Sequence, residues 1–410
     1  MNFDEAPEAA AFRMEVRGFL EAHATRKTGT DVDWSNGPLD DSDESDLRFL
    51  HQCQEWQRTL YDNGWAGLSW PTAFGGRGAT SAELVIYAEE AGAFDVTNGF
   101  FGVAQSLVGP ALMHHGSAAQ QARYLPPLLR GDEMWCQLFS EPGAGSDLAA
   151  LATRAVLDGD EYVATGQKVW SSEAHHADLG ILIARTDPDK PKHRGITFFV
   201  LDMHQPGVEV RPLRQATGQR HFNEVFLDAA RIPVDSVVGE VDGGWAVTRT
   251  VLTSEAGMIG GGAGGPGNFA GMLRLARALG CDGDAVVRQG LADVYASEQM
   301  LRYMGMRIQT VITTGRGTMP DPSVLKNFLT GANERKADLA LSLQGARGLL
   351  AGEDAEDNGL WQYNSLVQFS SRIGGGTNEV HRNMIAERAL GLPRDVAPDK
   401  DRPWRERIVS

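Results

Sequence analysis

The feature that most constrains this chain is a double change in the spacing of its apolar residues. From Ala9 to about Leu129 they recur at intervals of three and four, as at Phe12, Val16, Phe19 and Leu20 and again at Leu84, Ala88, Ala91 and Gly92, the pattern of helices with one buried stripe. Between Trp135 and Gly239 this gives way to short runs bounded by turn residues: EYVATGQKVW, LGILIART, GITFFVLDM, VEVRPL and NEVFLDAARIP. Those runs read as strands, and Asp158-Gly159-Asp160 and Thr165-Gly166 supply residues that tolerate positive φ between the first of them. After Gly243 long helical patterns return, over Val286 to Ile312 and Ser323 to Leu350. At 410 residues the chain is too long for one core, so the spacing predicts an α+β protein of three units: helical over 1–130, β over 131–242 and helical over 243–395. The tail, 396–410, has little to bury and is expected to be peripheral. Asp31 to Asp46 reads as an acidic, solvated loop, and GWAGLSWPTAFGGRG from Gly64 as a run of turns.

Charge narrows the partners. A net charge of −16 repels both nucleic acid and anionic membrane, so neither is expected, and no apolar stretch is long enough to span a bilayer. Cys53, Cys136 and Cys281 lie too far apart to suggest a disulfide framework, and MNFDEAPEAAAFRMEV has no basic opening or apolar core of an export signal. A cytoplasmic location is the expectation. His175 and His176 stand side by side with no acidic or cysteine partner at ligand spacing, so they read as polar loop residues and no metal is expected.

Chemistry is concentrated in WCQLFSEPGAGSD, Trp135 to Asp147. Pro142, Gly143 and Gly145 fix or free φ, as a backbone must to approach a flat ring closely, and Ser140 and Ser146 add hydroxyls. Cys136, Ser140, Glu141, Pro142, Ala144, Gly145, Ser146 and Asp147 match, position for position, the segment that leads into the β domain of acyl-CoA dehydrogenases. The chain resembles that family over essentially its whole length, which implies a helical domain, a β-barrel-like domain and a C-terminal four-helix bundle, with FAD as cofactor. By the same resemblance Phe139, Ser140, Gly145 and Ser146 surround the flavin or the adjoining thioester. GQKVWSSEAHHADLGILIARTDP resembles the family's next flavin-contacting strand, with Trp170 stacked near the flavin and Ser172 donating to its reactive edge. IGGGTNEVHRNMIAERALGLP resembles the closing motif, which assigns Thr377, a candidate helix cap, and Glu379 to the FAD diphosphate region of a neighbouring subunit.

The family's proton-abstracting glutamate often stands two residues before that threonine, where this chain has Gly375. A subset carries it instead on the helix after the β domain, and VLTSEAGMIGGG places Glu255 there. Burial against the apolar face holding Leu252 and Met258 would raise its pKa toward a working base. The Gly375 N–H is then expected to hydrogen-bond the thioester carbonyl, which needs no side chain. Three further departures stand out: Ala256 replaces an Arg, Ser342 replaces a Gln, and the R-x-x-F-G motif for a partner's FAD is missing, leaving Arg277 or Arg288 as substitute cations, of which Arg288 is taken as the candidate. Ala256 and the following GGGAGGPG suggest a roomy site. The resemblance implies α,β-dehydrogenation of an acyl-CoA to a trans-2-enoyl-CoA, reoxidation by an electron-transfer flavoprotein, and a homodimer or homotetramer. A flavin monooxygenase or nitroalkane oxidase on the same fold, and a non-catalytic subunit of a mixed assembly, are the alternatives.

Overall fold

The computed structural model describes residues 7–27, 42–259, 268–314, 321–394, 396 and 400–406. The glycine run at 260–267 lies outside them. Among the described residues five helices come first: α1 (Pro7–His23), α2 (Asp43–Asp62), α3 (Ser81–Ala91), α4 (Gly99–His115) and α5 (Ala118–Arg130). Local chemistry sets their ends. Thr80 with Glu83, and Ser117 with Gln120, form reciprocal capping boxes at α3 and α5, and α5 stops at Gly131 with φ 79°. The acidic stretch expected to be loop through Asp46 in fact begins α2, because Ser42 accepts the Ser45 N–H and the following acids favour a helix start. Residues 28–41 of that stretch are outside the described residues.

The middle unit is one curled sheet of seven strands: β1 (Trp135–Leu138), β2 (Arg154–Asp158), β3 (Glu161–Ser172), β4 (Leu179–Arg185), β5 (Ile196–Asp202), β6 (Val208–Leu213) and β7 (Phe222–Pro233). Its order is β1-β4-β2-β3-β7-β6, with β5 antiparallel to β4. Gly159 turns the β2–β3 hairpin with φ 68°, as the sequence indicates. Thr165-Gly166, expected as a turn, instead sits inside β3 at a register shift against β7. Gly166 is needed there for closeness rather than for φ, since a Cβ would lie 2.4 Å from Thr153 Oγ1 and 2.7 Å from Thr153 Cα.

Both faces of this sheet are covered, which explains the continuous apolar run ITFFVL in β5. Ile196, Phe198 and Val200 join a core built with α1, α4 and α5, whereas Phe199 and Leu201 pack inside the curl with Leu138, Leu182, Val225 and Leu227. The chain then enters α6 (Gly244–Ile259), which lies on α4 and β5. Helices α7 (Phe269–Ala278), α8 (Ala285–Thr314), α9 (Pro322–Gln344) and α10 (Leu360–Ile373) bundle around Met272, Leu275, Leu291, Val294, Ala340 and Trp361, and α11 (Asn378–Met384) packs on α9. No helix among the described residues is long and apolar enough to cross a membrane.

The tail is not simply peripheral. Trp404 donates its indole N–H to the Ala150 carbonyl, its ring lies 5.0 Å beneath the Arg185 guanidinium, and its backbone N–H meets the Lys190 carbonyl. An aromatic with a polar handle, helped by the Arg405–Asp189 ion pair and the Arg405 N–H on the Pro188 carbonyl, docks a segment that otherwise has little to bury.

Gly166→Ala is expected to cost about 1–3 kcal/mol by overpacking against the Thr153 backbone. A melting temperature lowered by several degrees in differential scanning fluorimetry would show it, and an unchanged one would mean that β3 does not depend on this approach.

Candidate active site

The WCQLFSEPGAGSD segment leaves β1 and closes on itself: Glu141 and Ala144 exchange two backbone hydrogen bonds of 3.0 Å around Pro142-Gly143. Neither Gly143 nor Gly145 has positive φ, contrary to the expectation that they free the backbone. What they provide is space, because a Cβ on either would meet nothing within 4 Å. The Phe139 ring is 3% exposed and stands edge-on to Phe198 at 5.9 Å, so it belongs to the core, and only its main chain is left for a cofactor contact. Cys136 is likewise buried, its thiol pushed up to about 12 by burial. Ser140 is half-buried, and Ser146 is exposed beside Gly145.

Beneath this turn lies a buried ion pair that the sequence reading did not single out. Lys168 is 0% exposed, and its ammonium donates to Glu141 Oε1 at 2.8 Å and to the Phe139 carbonyl at 3.0 Å. Glu141 also accepts the N–H groups of Ala152 and Thr153 at 2.6 and 2.9 Å. Burial alone would raise the Glu141 carboxyl, but the Lys168 charge and these hydrogen bonds outweigh it and hold the carboxyl below its ordinary range. Between Lys168 and Ser171 the β3–β7 register shifts again, and Trp170 takes φ 61°. This bulge re-aims the indole, which is 60% exposed and edge-on to Phe222 at 5.8 Å, while Ser172 is exposed two residues on. The unfilled surface over Gly143 and Gly145, two serine hydroxyls at the turn and a large uncovered aromatic fit a flat, hydrogen-bonding cofactor such as FAD.

A second group forms where α6, α9 and the end of α10 meet. Gly375 and Gly376 have φ 62° and 90°, and a Cβ at Gly376 would press on His381 Nε2 at 3.0 Å. His381 Nε2 also lies 3.0 Å from the Gly375 carbonyl oxygen. Lys326, 3% exposed, donates to the carbonyls of Gly374 and Gly376, the latter at 2.7 Å. Half-buried Glu255 faces this cation. Burial raises the Glu255 pKa above the usual carboxylate value, while a hydrogen bond from Gln137 and the Lys326 charge only partly offset it. The structure therefore brings Glu255, the Gly374–Gly376 loop and Gln137, on the strand that leads to Phe139, into one neighbourhood.

Thr377 caps α11 by accepting the Val380 N–H at 3.2 Å. Glu379 is exposed and paired with Arg382 at 3.1 Å. Arg288 is exposed in the first turn of α8, Arg277 reaches Asp282 at 3.9 Å, and neither bonds a flavin-side residue among the described residues. The Ser342 hydroxyl returns to the Leu339 carbonyl.

His175 and His176 are not merely polar loop residues. Asp46, on α2, lies 3.2 and 2.9 Å from their Nε2 atoms, and the buried Glu173 completes the cluster. The acid missing at local spacing is supplied from 129 and 130 positions upstream.

Of the unforeseen residues, Lys326 was readable. Ser323, Lys326, Thr330, Ala337, Ala340 and Gln344 are all buried and fall at helical spacing on one face of α9, so a lysine on that stripe had to have partners. Lys168 had a weaker signal, because the bulge beside it breaks the alternation of β3.

Family models for the acyl-CoA dehydrogenase N-terminal, middle and C-terminal domains match residues 6–132, 136–230 and 242–390. Acyl-CoA dehydrogenase IpdE1 of Mycobacterium tuberculosis is 35% identical over 390 residues, 94% of this chain and 98% of its own. The chain belongs to the acyl-CoA dehydrogenase family. Among solved structures, the Tcur3481-Tcur3483 steroid ACAD superposes with a TM-score of 0.79 at 30% identity, covering 96% of this chain and 100% of its own. The ChsE4-ChsE5 complex from Mycobacterium tuberculosis gives a TM-score of 0.75 at 28% identity, with 96% and 100% covered. As an acyl-CoA dehydrogenase, the protein is an FAD-dependent oxidoreductase acting on acyl-CoA.

Breaking the buried pair tests the support under the turn. Lys168→Met leaves Glu141 ionised and underpartnered, at a cost of about 3–5 kcal/mol near neutral pH. Glu141's contribution in the native protein is present above the unfolded carboxylate pKa and lost as pH falls through its lowered folded value. In the variant the carboxyl is raised instead, so the gap in melting temperature should narrow as the pH is lowered through the carboxylate range. A gap independent of pH would sink this account.

Proposed function

We propose that Glu255 is the base of an α,β-dehydrogenation that converts an acyl-CoA thioester to a trans-2-enoyl-CoA. The observation that carries this is the juxtaposition of Glu255 with the Lys326-held Gly374–Gly376 loop: a carboxylate of raised pKa faces the loop whose Gly375 stands where other members keep their glutamate. Glu255 takes the α-proton and the Gly375 N–H holds the thioester oxygen as negative charge grows there. FAD, when bound, supplies the acceptor for the hydride leaving the β-carbon. Ser140, Gly145, Ser146, Trp170 and Ser172 line the flavin side, whereas Thr377, Glu379 and Arg288 would serve the FAD of a neighbouring subunit. Electrons pass on to an electron-transfer flavoprotein.

The acyl group we favour is bulky and ring-bearing. Support comes from Ala256 in place of an arginine, from the similarity to a structure titled a steroid ACAD, and from 28% identity to a cyclohexane-1-carbonyl-CoA dehydrogenase of Geobacter metallireducens. The assembly is a homodimer or a dimer of dimers. Because Arg288 makes no cofactor-side bond among the described residues and two of the similar structures are titled as pairs of chains, a mixed assembly with a related subunit is the second reading. Native mass spectrometry of the protein purified alone should give an even-numbered, FAD-loaded oligomer; an FAD-free monomer would favour the mixed assembly.

Glu255→Gln is expected to keep FAD bound and to slow anaerobic flavin bleaching by acyl-CoA at least about 1,000-fold, more than the 10²–10⁴ range's lower end for a lost general base. Wild-type bleaching should rise with pH through the raised pKa of Glu255, since only the ionised carboxylate accepts the proton. Fast reduction retained in the glutamine variant would refute the assignment, and a panel spanning straight-chain and ring-bearing thioesters would identify the acyl group.

A further inference from the structure

Away from the Glu255 group, Asp46, Glu173, His175 and His176 gather at the seam between the first helical unit and the sheet. One ligand atom from each lies within 4.8 Å of the other three. Glu173 is what makes this more than a polar contact. It is 2% exposed, it takes φ 54° directly after Ser172, and neither carboxylate oxygen has a hydrogen-bond partner among the described residues. His221 Nδ1 approaches Glu173 Oε1 at 3.0 Å, an ion pair only when the imidazole is protonated. An ionised carboxylate so enclosed costs several kcal/mol unless a cation or donors compensate it. The His175 Nδ1 and His221 Nε2 atoms nearby are also buried without partners.

We infer that these four side chains form a binding site for a divalent transition-metal ion of the zinc class. Two carboxylates and two neutral imidazoles balance a dication, and a mixed nitrogen and oxygen set suits zinc rather than the all-oxygen shells of calcium or magnesium. The spacing is close to what such an ion needs. Zinc with arms of about 2.0 Å sets its tetrahedral ligands about 3.3 Å apart, and the two Nε2 atoms already lie 3.2 and 2.9 Å from Asp46 Oδ2. His221, against Glu173, occupies the outer position that commonly orients a ligating carboxylate. The ion would fasten the first turns of α2 to the segment that follows Trp170 and Ser172, and so hold the cofactor-facing bulge from behind.

The test uses the full-length holoprotein without a histidine tag, stripped by chelator and titrated with Zn²⁺ and with Co²⁺. One equivalent per chain should remain after desalting, and Co²⁺ should give the visible band of a tetrahedral site. Glu173→Gln and His176→Ala should each weaken binding by roughly 100-fold or more and abolish that band, and His221→Ala by about 10–100-fold as an outer-shell change. His114→Ala, at a histidine whose ring bonds the Pro110 carbonyl of its own helix, should change nothing. Wild-type protein that retains no metal and gives no Co²⁺ band, or binding equal in wild type, Glu173→Gln and His176→Ala, would overturn the proposal. The wild-type titration decides the matter even if a variant fails to fold.

Discussion

The contact on which the proposed cofactor side depends is the ion pair between Lys168 and Glu141. A fully enclosed ammonium and a nearly enclosed carboxylate are expensive to bury, and each is tolerable only because the other is there with backbone groups to fill its remaining valences. Those backbone groups come from Phe139, Ala152 and Thr153. One interaction thus fixes the start of the turn, the strand beside it and the segment returning to β2. With the underside settled, Gly143 and Gly145 can leave the upper side open, and the bulge after Lys168 can turn Trp170 outward.

The proposed substrate side rests on a different device. Lys326 grips the Gly374 and Gly376 carbonyls of a loop in which Gly375 and Gly376 occupy left-handed conformations, and its charge also reaches Glu255. A single buried cation therefore shapes the loop and tempers the carboxylate facing it. Gln137, on β1, ties that carboxylate back to the strand from which the cofactor-side turn departs. The two halves of the site come from five segments of the chain, β1 with its turn, β3, α6, α9 and the loop after α10, and what couples them is short-range hydrogen bonding among groups withdrawn from water.

Several elements were legible in advance because they are local. Thr377 caps α11, Gly159 turns the β2–β3 hairpin, and the alternation in β7 follows the sheet. Where the reading failed, a distant partner had changed the meaning of a residue. Gly166 reads locally as a turn glycine but lies against Thr153, and the tail reads as idle but its Trp404 meets Arg185 and Ala150. The histidines at 175 and 176 lacked an acid only so long as α2 was out of sight.

The sequence by itself determined the order of helical, β and helical units, the segment that builds the cofactor-side turn, and the choice of Glu255 over Gly375 as candidate base, because periodicity, turn chemistry and motif spacing are carried by neighbouring residues. Only the tertiary structure decided that Lys168 closes on Glu141, that Lys326 joins Glu255 to the glycine loop, and that Asp46 reaches the two histidines. Burial and charge compensation depend on which atoms surround a group, and those atoms come from positions whose separation along the chain leaves no local mark.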